Sequence, residues 1–201
     1  MLRLHGHELS GNSTKVRLLL DLAGIPYEWV RVDLMKGEHK GEAFLALNPF
    51  GQVPVLEDGD TTLADAQAIL YYIAARQGDG RWLPTDPLGQ ARVVRWLSTA
   101  AGEVRQGPES ARLHQLFGVK AIPIERAQEK AAFILDQLDR HLSDRLWLEC
   151  DLPTIADIAV FPYVALAGDG GIDLAPYPHV RAWIARFQAL PGYRPMKGLD
   201  A

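Results

Sequence analysis

The sequence contains a single cysteine and has no long apolar run. Cys150 permits no disulfide within the chain, and its setting in "LWLECDL" predicts a buried structural thiol in a reducing cytoplasmic protein. The longest apolar stretch, "IAVFPYVALA" at 158–167, is too short to span a bilayer and predicts a buried helix. The N-terminus lacks a signal pattern, because Arg3 is followed by mixed polar sequence. We therefore expect a cytoplasmic protein with no membrane partner.

The chain also lacks an excess of positive charge. Lysine and arginine number 21 against 25 acidic residues, which gives a net charge of −4. Without a positive field, nucleic acid is not expected as a partner. The six histidines show no metal-ligand spacing, so no metal is predicted. With 201 residues, 48% of them hydrophobic, the chain can form one large domain or two small ones.

Hydrophobic periodicity divides the chain into two halves. Residues 1–78 alternate strands and helices in the order β-α-β-α-β-β-α. The segment 79–88, rich in Gly, Pro and Asp, is expected to be a linker, and residues 89–201 contain no convincing strand. Helices are predicted over 89–107, 123–143, 154–168 and 178–190. In "PTIAD", Thr154 and Asp157 form a predicted capping box. The fold class is therefore a small α/β domain followed by an all-α domain.

One proline interrupts a strand-forming segment. In "NPFGQVPVLEDGD" (48–60), Pro54 stands between Val53 and Val55, although proline cannot donate a ladder hydrogen bond. If the Val53–Pro54 bond is cis, the N–H and C=O of Val53 are free to bind an extended peptide as a short extra strand. An ordinary turn or edge-strand proline explains the residues alone equally well.

Four segments of the chain resemble the cytosolic glutathione transferase family. They are "SGNSTKVRLLL" (10–20), "FLALNPFGQVPVLEDG" (44–59), "LADAQAILYYIA" (63–74) and "PTIADIAVFP" (153–162). The resemblance, closest to bacterial and serine-type members, implies a thioredoxin-like N-terminal domain, a helical C-terminal domain and usually a homodimer. It also implies glutathione as cosubstrate, with a cis Pro54 and with Val53 pairing to the cysteinyl part of glutathione.

The segment "LSGNSTKV" offers groups that can stabilise a thiolate. Hydroxyl donors and a helix N-terminus both lower the pKa of a thiol, and Ser10, Ser13 and Thr14 lie where the first helix begins. In serine-type members the catalytic serine lies six residues before the apolar residue of the "KVR"-like segment, which is the spacing of Ser10 to Val16. Ser13 and Thr14 remain rivals, and Asn12 is a further possible donor. Ser13 is otherwise expected to be a plain helix N-cap.

The two charged ends of glutathione need partners as well. Asp65 and the backbone N–H of Ala66, at the start of a helix, suit the γ-glutamyl ammonium and carboxylate. The family usually has an acidic residue, most often Glu, followed by Ser, so this chain lacks one hydroxyl. For the glycine carboxylate the candidates are Lys40, His39 and Gln52.

The predicted function is that of a glutathione transferase-like enzyme that activates the thiolate for attack on a small electrophile. Segment 103–118 is a possible wall of the electrophile site, although Arg105, Arg112 and His114 are expected to be solvated. Disulfide reduction or isomerisation is a related alternative, but the "SSC" of zeta-like members is "SGN" here. A non-catalytic interaction module is the other alternative. Ala66 favours that module, whereas Ser10, Gln52 and Pro54 argue against it.

Overall fold

The computed structural model describes residues 1–196, and its first half is built on a four-stranded sheet. The strand order is β2-β1-β3-β4, with β1 parallel to β2 and the other two pairings antiparallel. The elements are β1 (Leu2–Gly6), α1 (Gly11–Leu22), β2 (Tyr27–Arg31), α2 (Glu42–Leu47), β3 (Val55–Asp58), β4 (Thr61–Ala64) and α3 (Ala66–Gln77). This confirms the predicted β-α-β-α-β-β-α order of a thioredoxin-like domain.

The register of the sheet brings three separate segments to one end of it. His5 pairs with Val55, and Val55 pairs on its other side with Ala64. The turn that enters α1 follows β1, Pro54 immediately precedes Val55, and Asp65 immediately follows Ala64. All three segments therefore leave the sheet at the same end.

Helices make up the second half of the described chain. They are α4 (Pro87–Thr99), a π-helical stretch over Ala100–Glu109 that we call the π segment, α5 (Ser110–Phe117), α6 (Ile124–His141), α7 (Ile155–Ala165) and α8 (Pro178–Gln188). Residues 89–107, predicted as one helix, are helical throughout, but the path changes to π geometry at Ala100 and runs on to Phe117. Pro108 lies within the π segment and has no N–H to donate, and the Ser110 N–H pairs with the carbonyl oxygen of Arg105, five residues earlier.

A continuous apolar core joins the two halves. Helix α7 lies at its centre, and nearly every residue of α7 is buried. Trp82 and Leu83, from the segment predicted to be a linker, are buried in the same core. Helix α4 already begins at Pro87, inside that segment. The connection between the halves is therefore packed against the core.

The predicted capping box at the start of α7 is present. Asp157 is fully buried, and its Oδ2 accepts from the Thr154 N–H at 2.9 Å. Its Oδ1 accepts from the Leu148 N–H at 2.9 Å and from Trp183 Nε1 at 3.0 Å. The prediction of a buried Cys150 was wrong: this residue is exposed and has a φ of +63°.

Within residues 1–196, no helix has the length and apolar character needed to cross a membrane. The same part of the chain contains no group of three or more His, Cys, Asp or Glu side chains placed to hold a metal ion.

Candidate active site

Ser10 is the N-cap of α1, and its side chain is only half-buried. Its Oγ accepts a hydrogen bond from the Ser13 N–H at 3.2 Å, so its own O–H proton stays available for another acceptor. The prediction that Ser13 is the N-cap was wrong. Ser13 lies in the first turn of α1 and is fully buried, and its Oγ accepts from the His7 N–H at 3.4 Å. Thr14 is buried as well. Of the three candidate hydroxyls, that of Ser10 is the accessible one.

The Val53–Pro54 bond is cis, as the resemblance implied; the residues alone had left an ordinary turn or edge-strand proline equally open. The side chain of Val53 packs against Val32, Phe44 and Val55. Within residues 1–196, neither the N–H nor the C=O of Val53 has a hydrogen-bond partner. These groups lie two residues before the start of β3, at the sheet end that also carries the Ser10 turn. They match the free pair of backbone groups expected from the sequence.

The loop before Val53 is held by a buried residue that sequence reasoning missed. Asn48 is almost fully buried; its Nδ2 donates to the Gln52 carbonyl at 2.8 Å and its Oδ1 accepts from the Phe50 N–H at 3.1 Å. Lys40 Nζ donates to the carbonyl oxygens of Phe50 and Gly51, at 3.2 and 2.9 Å. The structure therefore brings Lys40 next to Gln52, whose side chain is exposed.

The remaining candidate for the glycine carboxylate is His39. Its ring is half-buried, and this burial, with the charge of Lys40 as a second cause, lowers the pKa of His39 below its ordinary value. His39 is therefore mostly neutral at pH 7, which leaves Lys40 as the cation at this position.

Asp65 is the N-cap of α3 and adopts a φ of +75°, which is uncommon for a residue with a side chain. Its Oδ1 accepts from the N–H groups of Gln67 and Ala68 at 2.9 and 3.0 Å. The residue is exposed, and within residues 1–196 no hydrogen bond is made to Oδ2. Ala66, the first residue of α3, is buried. Asp65 therefore caps the N-terminus of α3.

The C-terminal domain contacts the Ser10 turn at three residues. Arg112 Nη1 donates to the Leu9 carbonyl at 3.0 Å. The ring of Tyr163 lies flat on Gly11, where a Cβ atom would come within 2.6 Å of it. The Nδ2 atom of Asn12, a candidate donor from the sequence, instead donates to Glu109 Oε1 at 3.4 Å. The residues on both sides of Ser10 are thus held by the second half of the chain.

The prediction that Arg112 is solvated was wrong. Only 1% of Arg112 is exposed, and its Nε donates to Asp169 at 2.9 Å. Arg105 is exposed and His114 is half-buried.

Sequence reasoning missed a buried charged group behind the turn. Lys15 is fully buried and Glu109 is 7% exposed. Burial lowers the pKa of Lys15 to about 8, against the opposing effect of Glu109 and Asp65. Burial also raises the pKa of Glu109, while Lys15 and Arg105 oppose this rise. The pKa of Tyr163 is raised well above its ordinary value by burial and then by Glu109, so its phenol keeps its proton.

These features define the class of the protein. Two family models match the chain: the N-terminal domain of glutathione S-transferase over residues 9–76 and the C-terminal domain over residues 123–186. Together they cover more than half of the sequence, and the chain belongs to the glutathione S-transferase family.

Individual relatives match over nearly the full length. The chain is 34% identical over 204 residues to glutathione S-transferase 3 of Zea mays, covering 96% of this chain and 91% of that protein. A glutathione S-transferase structure from Pseudomonas fluorescens is 36% identical with a TM-score of 0.88, covering 97% of this chain and 98% of that one. A glutathione transferase homologue from Drosophila mojavensis with bound glutathione is 30% identical with a TM-score of 0.85, covering 94% and 88%.

Proposed function

We propose that this protein is a glutathione transferase that binds glutathione at the sheet end shared by Ser10, Val53 and Asp65. The observation that carries the proposal is the register His5–Val55–Ala64, which places a hydroxyl, a free pair of backbone groups and a helix N-cap beside one another. Named relatives at moderate identity over almost the whole chain support the same function.

Each part of glutathione meets a group of matching chemistry. The cysteinyl backbone pairs with the N–H and C=O of Val53 as one residue of an added strand. The γ-glutamyl ammonium binds the Oδ2 atom of Asp65, and the γ-glutamyl carboxylate lies at the N-terminus of α3 beside Ala66. The glycine carboxylate binds near Lys40 and Gln52.

Ser10 acts on the thiol of glutathione and does not itself attack. Its hydroxyl proton is free because Ser13 occupies only an acceptor site of the oxygen. The hydroxyl donates a hydrogen bond to the sulfur, and the positive end of α1 adds to the stabilisation of the thiolate. Since the ordinary pKa of a thiol is about 8.5, a fall of roughly two units ionises most of it at neutral pH.

The chemical step is nucleophilic attack on a soft electrophile. The thiol releases its proton to water, the sulfur forms a bond to an electrophilic carbon, and a leaving group departs with the bonding electron pair. The electrophile lies against the second half of the chain, where the π segment and α5 border the Ser10 turn through Glu109 and Arg112. We further propose a cytoplasmic homodimer, as is usual in this family.

Titration of the protein with glutathione by calorimetry, followed by thiolate absorbance of the complex against pH, tests the proposal. We expect heat of binding at millimolar glutathione or below and a thiol that ionises well below its free pKa. Absence of binding would favour a non-catalytic interaction module. Binding with an unshifted thiol would contradict the proposed mechanism, while leaving a ligand site.

Disulfide reduction is tested separately. A serine holds a thiolate but forms no mixed disulfide, and the cysteine of this chain, Cys150, is exposed on the second half of the chain. We therefore expect conjugation of a model aryl halide to exceed glutathione-dependent reduction of a small disulfide under the same conditions.

A further inference from the structure

Lys15 and Glu109 carry opposite charges in the buried region directly behind the Ser10 turn. Lys15 follows Ser10 by five residues, which is about 7.5 Å along the axis of α1. Glu109 contacts the turn through Asn12: its Oε1 accepts a hydrogen bond from the Asn12 side-chain amide. Both side chains are removed from water, so solvent screens their charges only weakly.

The surroundings of this pair supply few compensating bonds. Within residues 1–196 the Nζ atom of Lys15 has no hydrogen-bond partner, and it lies 5.2 Å from the centroid of the Tyr163 ring. The charged and titratable groups that face the pair come from four elements: Tyr163 on α7, Arg105 on the π segment beside Glu109, Arg112 on α5 with its partner Asp169, and Asp65 before α3. Lys15 and Glu109 therefore stabilise each other's charge, with help from Asp65 for Lys15 and from Arg105, Tyr163 and Asn12 for Glu109.

The pKa shifts of Lys15 and Glu109 show that each charge affects the other. Burial lowers the pKa of Lys15 to about 8 and raises the pKa of Glu109, and in each case the charge of the other opposes the change. Removing one partner consequently takes away the largest single charge that opposes the effect of burial on the other.

We propose that Lys15 and Glu109 are positioning residues with opposite effects on thiol activation: the ammonium makes a thiol at the Ser10 turn more acidic, and the carboxylate makes it less acidic. The role in catalysis rests on the proposed function above. The effect of the two charges on a thiol at this position does not, and it can be measured without glutathione.

The sign of the two effects separates this proposal from a purely structural role. A packing defect in the turn moves a thiol at position 10 away from the N-terminus of α1, whichever partner is changed. It therefore shifts the thiol in the same direction for both variants. An electrostatic role requires opposite shifts, because one variant removes a positive charge and the other a negative charge.

The test places a thiol at the position of Ser10. The parent protein carries Ser10→Cys, with Cys150→Ser to remove the native thiol. Lys15→Met and Glu109→Gln are then added singly and together. Gln keeps an oxygen that accepts from Asn12, and Met keeps the apolar volume of the lysine stem. The readout is the pKa of the Ser10→Cys thiol, from thiolate absorbance and from alkylation rate against pH.

We expect Lys15→Met to raise the pKa of the Ser10→Cys thiol by about one unit and Glu109→Gln to lower it by a similar amount. Each shift changes the ratio of thiolate to thiol roughly tenfold. The double variant is expected near the parent value, and Lys15→Arg is expected to retain the parent pKa. Lys120→Met and Glu129→Gln, which remove the same charges at exposed positions, are expected to leave it within a few tenths of a unit.

Shifts in the same direction, or no shift in either variant, overturn the proposal. If Lys15→Met does not fold, Glu109→Gln decides alone, since a more acidic thiol follows from loss of the negative charge and not from a looser turn. Titration of wild-type protein with glutathione is a separate measurement. If glutathione does not bind the wild-type protein, the proposed function is wrong. The pKa values of the Ser10→Cys thiol would still decide whether Lys15 and Glu109 have the proposed electrostatic effects.

Discussion

Arg112 Nη1 donates to the carbonyl oxygen of Leu9 at 3.0 Å, so a buried cation of the C-terminal domain holds the residue that precedes Ser10. The same side chain is paired with Asp169 at 2.9 Å. The position of the Ser10 hydroxyl is therefore set by both halves of the chain. Changes at the contact between the halves should alter catalysis without touching any group that binds glutathione.

Ser10→Ala is expected to act on stability and catalysis together. Loss of the N-cap costs about 1 kcal/mol of unfolding free energy. Loss of the hydroxyl should raise the pKa of bound glutathione by about one unit and reduce kcat at neutral pH. Urea unfolding and thiolate absorbance of the complex measure the two effects. Ser10→Thr, which keeps the hydroxyl, is the matched control, and a larger effect from Ser13→Ala would contradict the assignment.

Ala66→Ser should strengthen glutathione binding. The family usually has a serine after the acidic residue, and Ala66 lies at the first position of α3 beside Asp65. One additional hydrogen bond is worth about 0.5–1.5 kcal/mol, which is roughly a two- to tenfold lower Kd. Calorimetric titration measures it. Ala68→Ser, two residues later on an exposed position, should leave the Kd unchanged, and an equal gain there would count against the Asp65–Ala66 site.

Gly11→Ala should disturb the contact between the halves. The added Cβ would lie 2.6 Å from the Tyr163 ring, so the ring or the turn must move. We expect a loss of about 1–3 kcal/mol in unfolding free energy, with a fall in kcat that exceeds the change in KM for glutathione. Gly102→Ala is the control, because a Cβ there meets no atom within 4 Å. Unchanged kcat in Gly11→Ala would show that the turn tolerates displacement.

Asp157→Asn should destabilise the start of α7. Three N–H groups, from Leu148, Thr154 and Trp183, point at the two carboxylate oxygens of Asp157. An asparagine amide offers one acceptor oxygen and turns an NH₂ group toward a donor, which costs about 2–3 kcal/mol. Urea unfolding measures the loss. Asp151→Asn, an exposed change of the same kind, should have little effect, and equal losses in the two would contradict this account.

Lys15 should make stability rise with pH in the alkaline range. Burial lowers its pKa from 10.5 to about 8, so between these values the unfolded chain binds more protons than the folded one. Stability therefore increases with pH in this window, by up to about 3 kcal/mol relative to a variant without the group. Unfolding of wild type and Lys15→Met at pH 7 and pH 10 measures the difference. The unfolding free energy of wild type should rise relative to that of Lys15→Met between pH 7 and pH 10, and an unchanged difference would contradict the prediction. Lys120→Met should behave as wild type.

The N-terminal part of the site was predictable because each of its members is marked by a local pattern. Val53 and Pro54 stand out as a proline inside a strand-forming segment, Asp65 stands before an apolar helical period, and Ser10 precedes the first helix. Their juxtaposition follows from the strand order that the structure shows, β2-β1-β3-β4. The choice between Ser10 and Ser13 as N-cap could not be settled by sequence, since helix starts are uncertain by one or two residues.

The interior charges were not predictable by the same means. Glu109 lies 97 residues from Asn12 and Arg112 lies 103 residues from Leu9, so no local pattern connects them. A charged residue on an amphipathic helix ordinarily indicates the solvent face, and this expectation failed for Arg112. The prediction for Cys150 was wrong in the opposite direction. Its apolar neighbours suggested burial, but the residue is exposed and has a positive φ.

The π segment has a consequence for what insertions and deletions this family member can tolerate. Successive residues of a regular helix are rotated by about 100° around its axis. Removing one residue before Pro108 would therefore rotate every later side chain of the helical path, as far as Phe117, by this angle. Arg112 and Glu109 would then face away from the first helix. The π segment thus sets the rotation of the later helical residues relative to the first half of the chain. The alignment of the active site therefore depends on the number of residues in this helical path as much as on their identity.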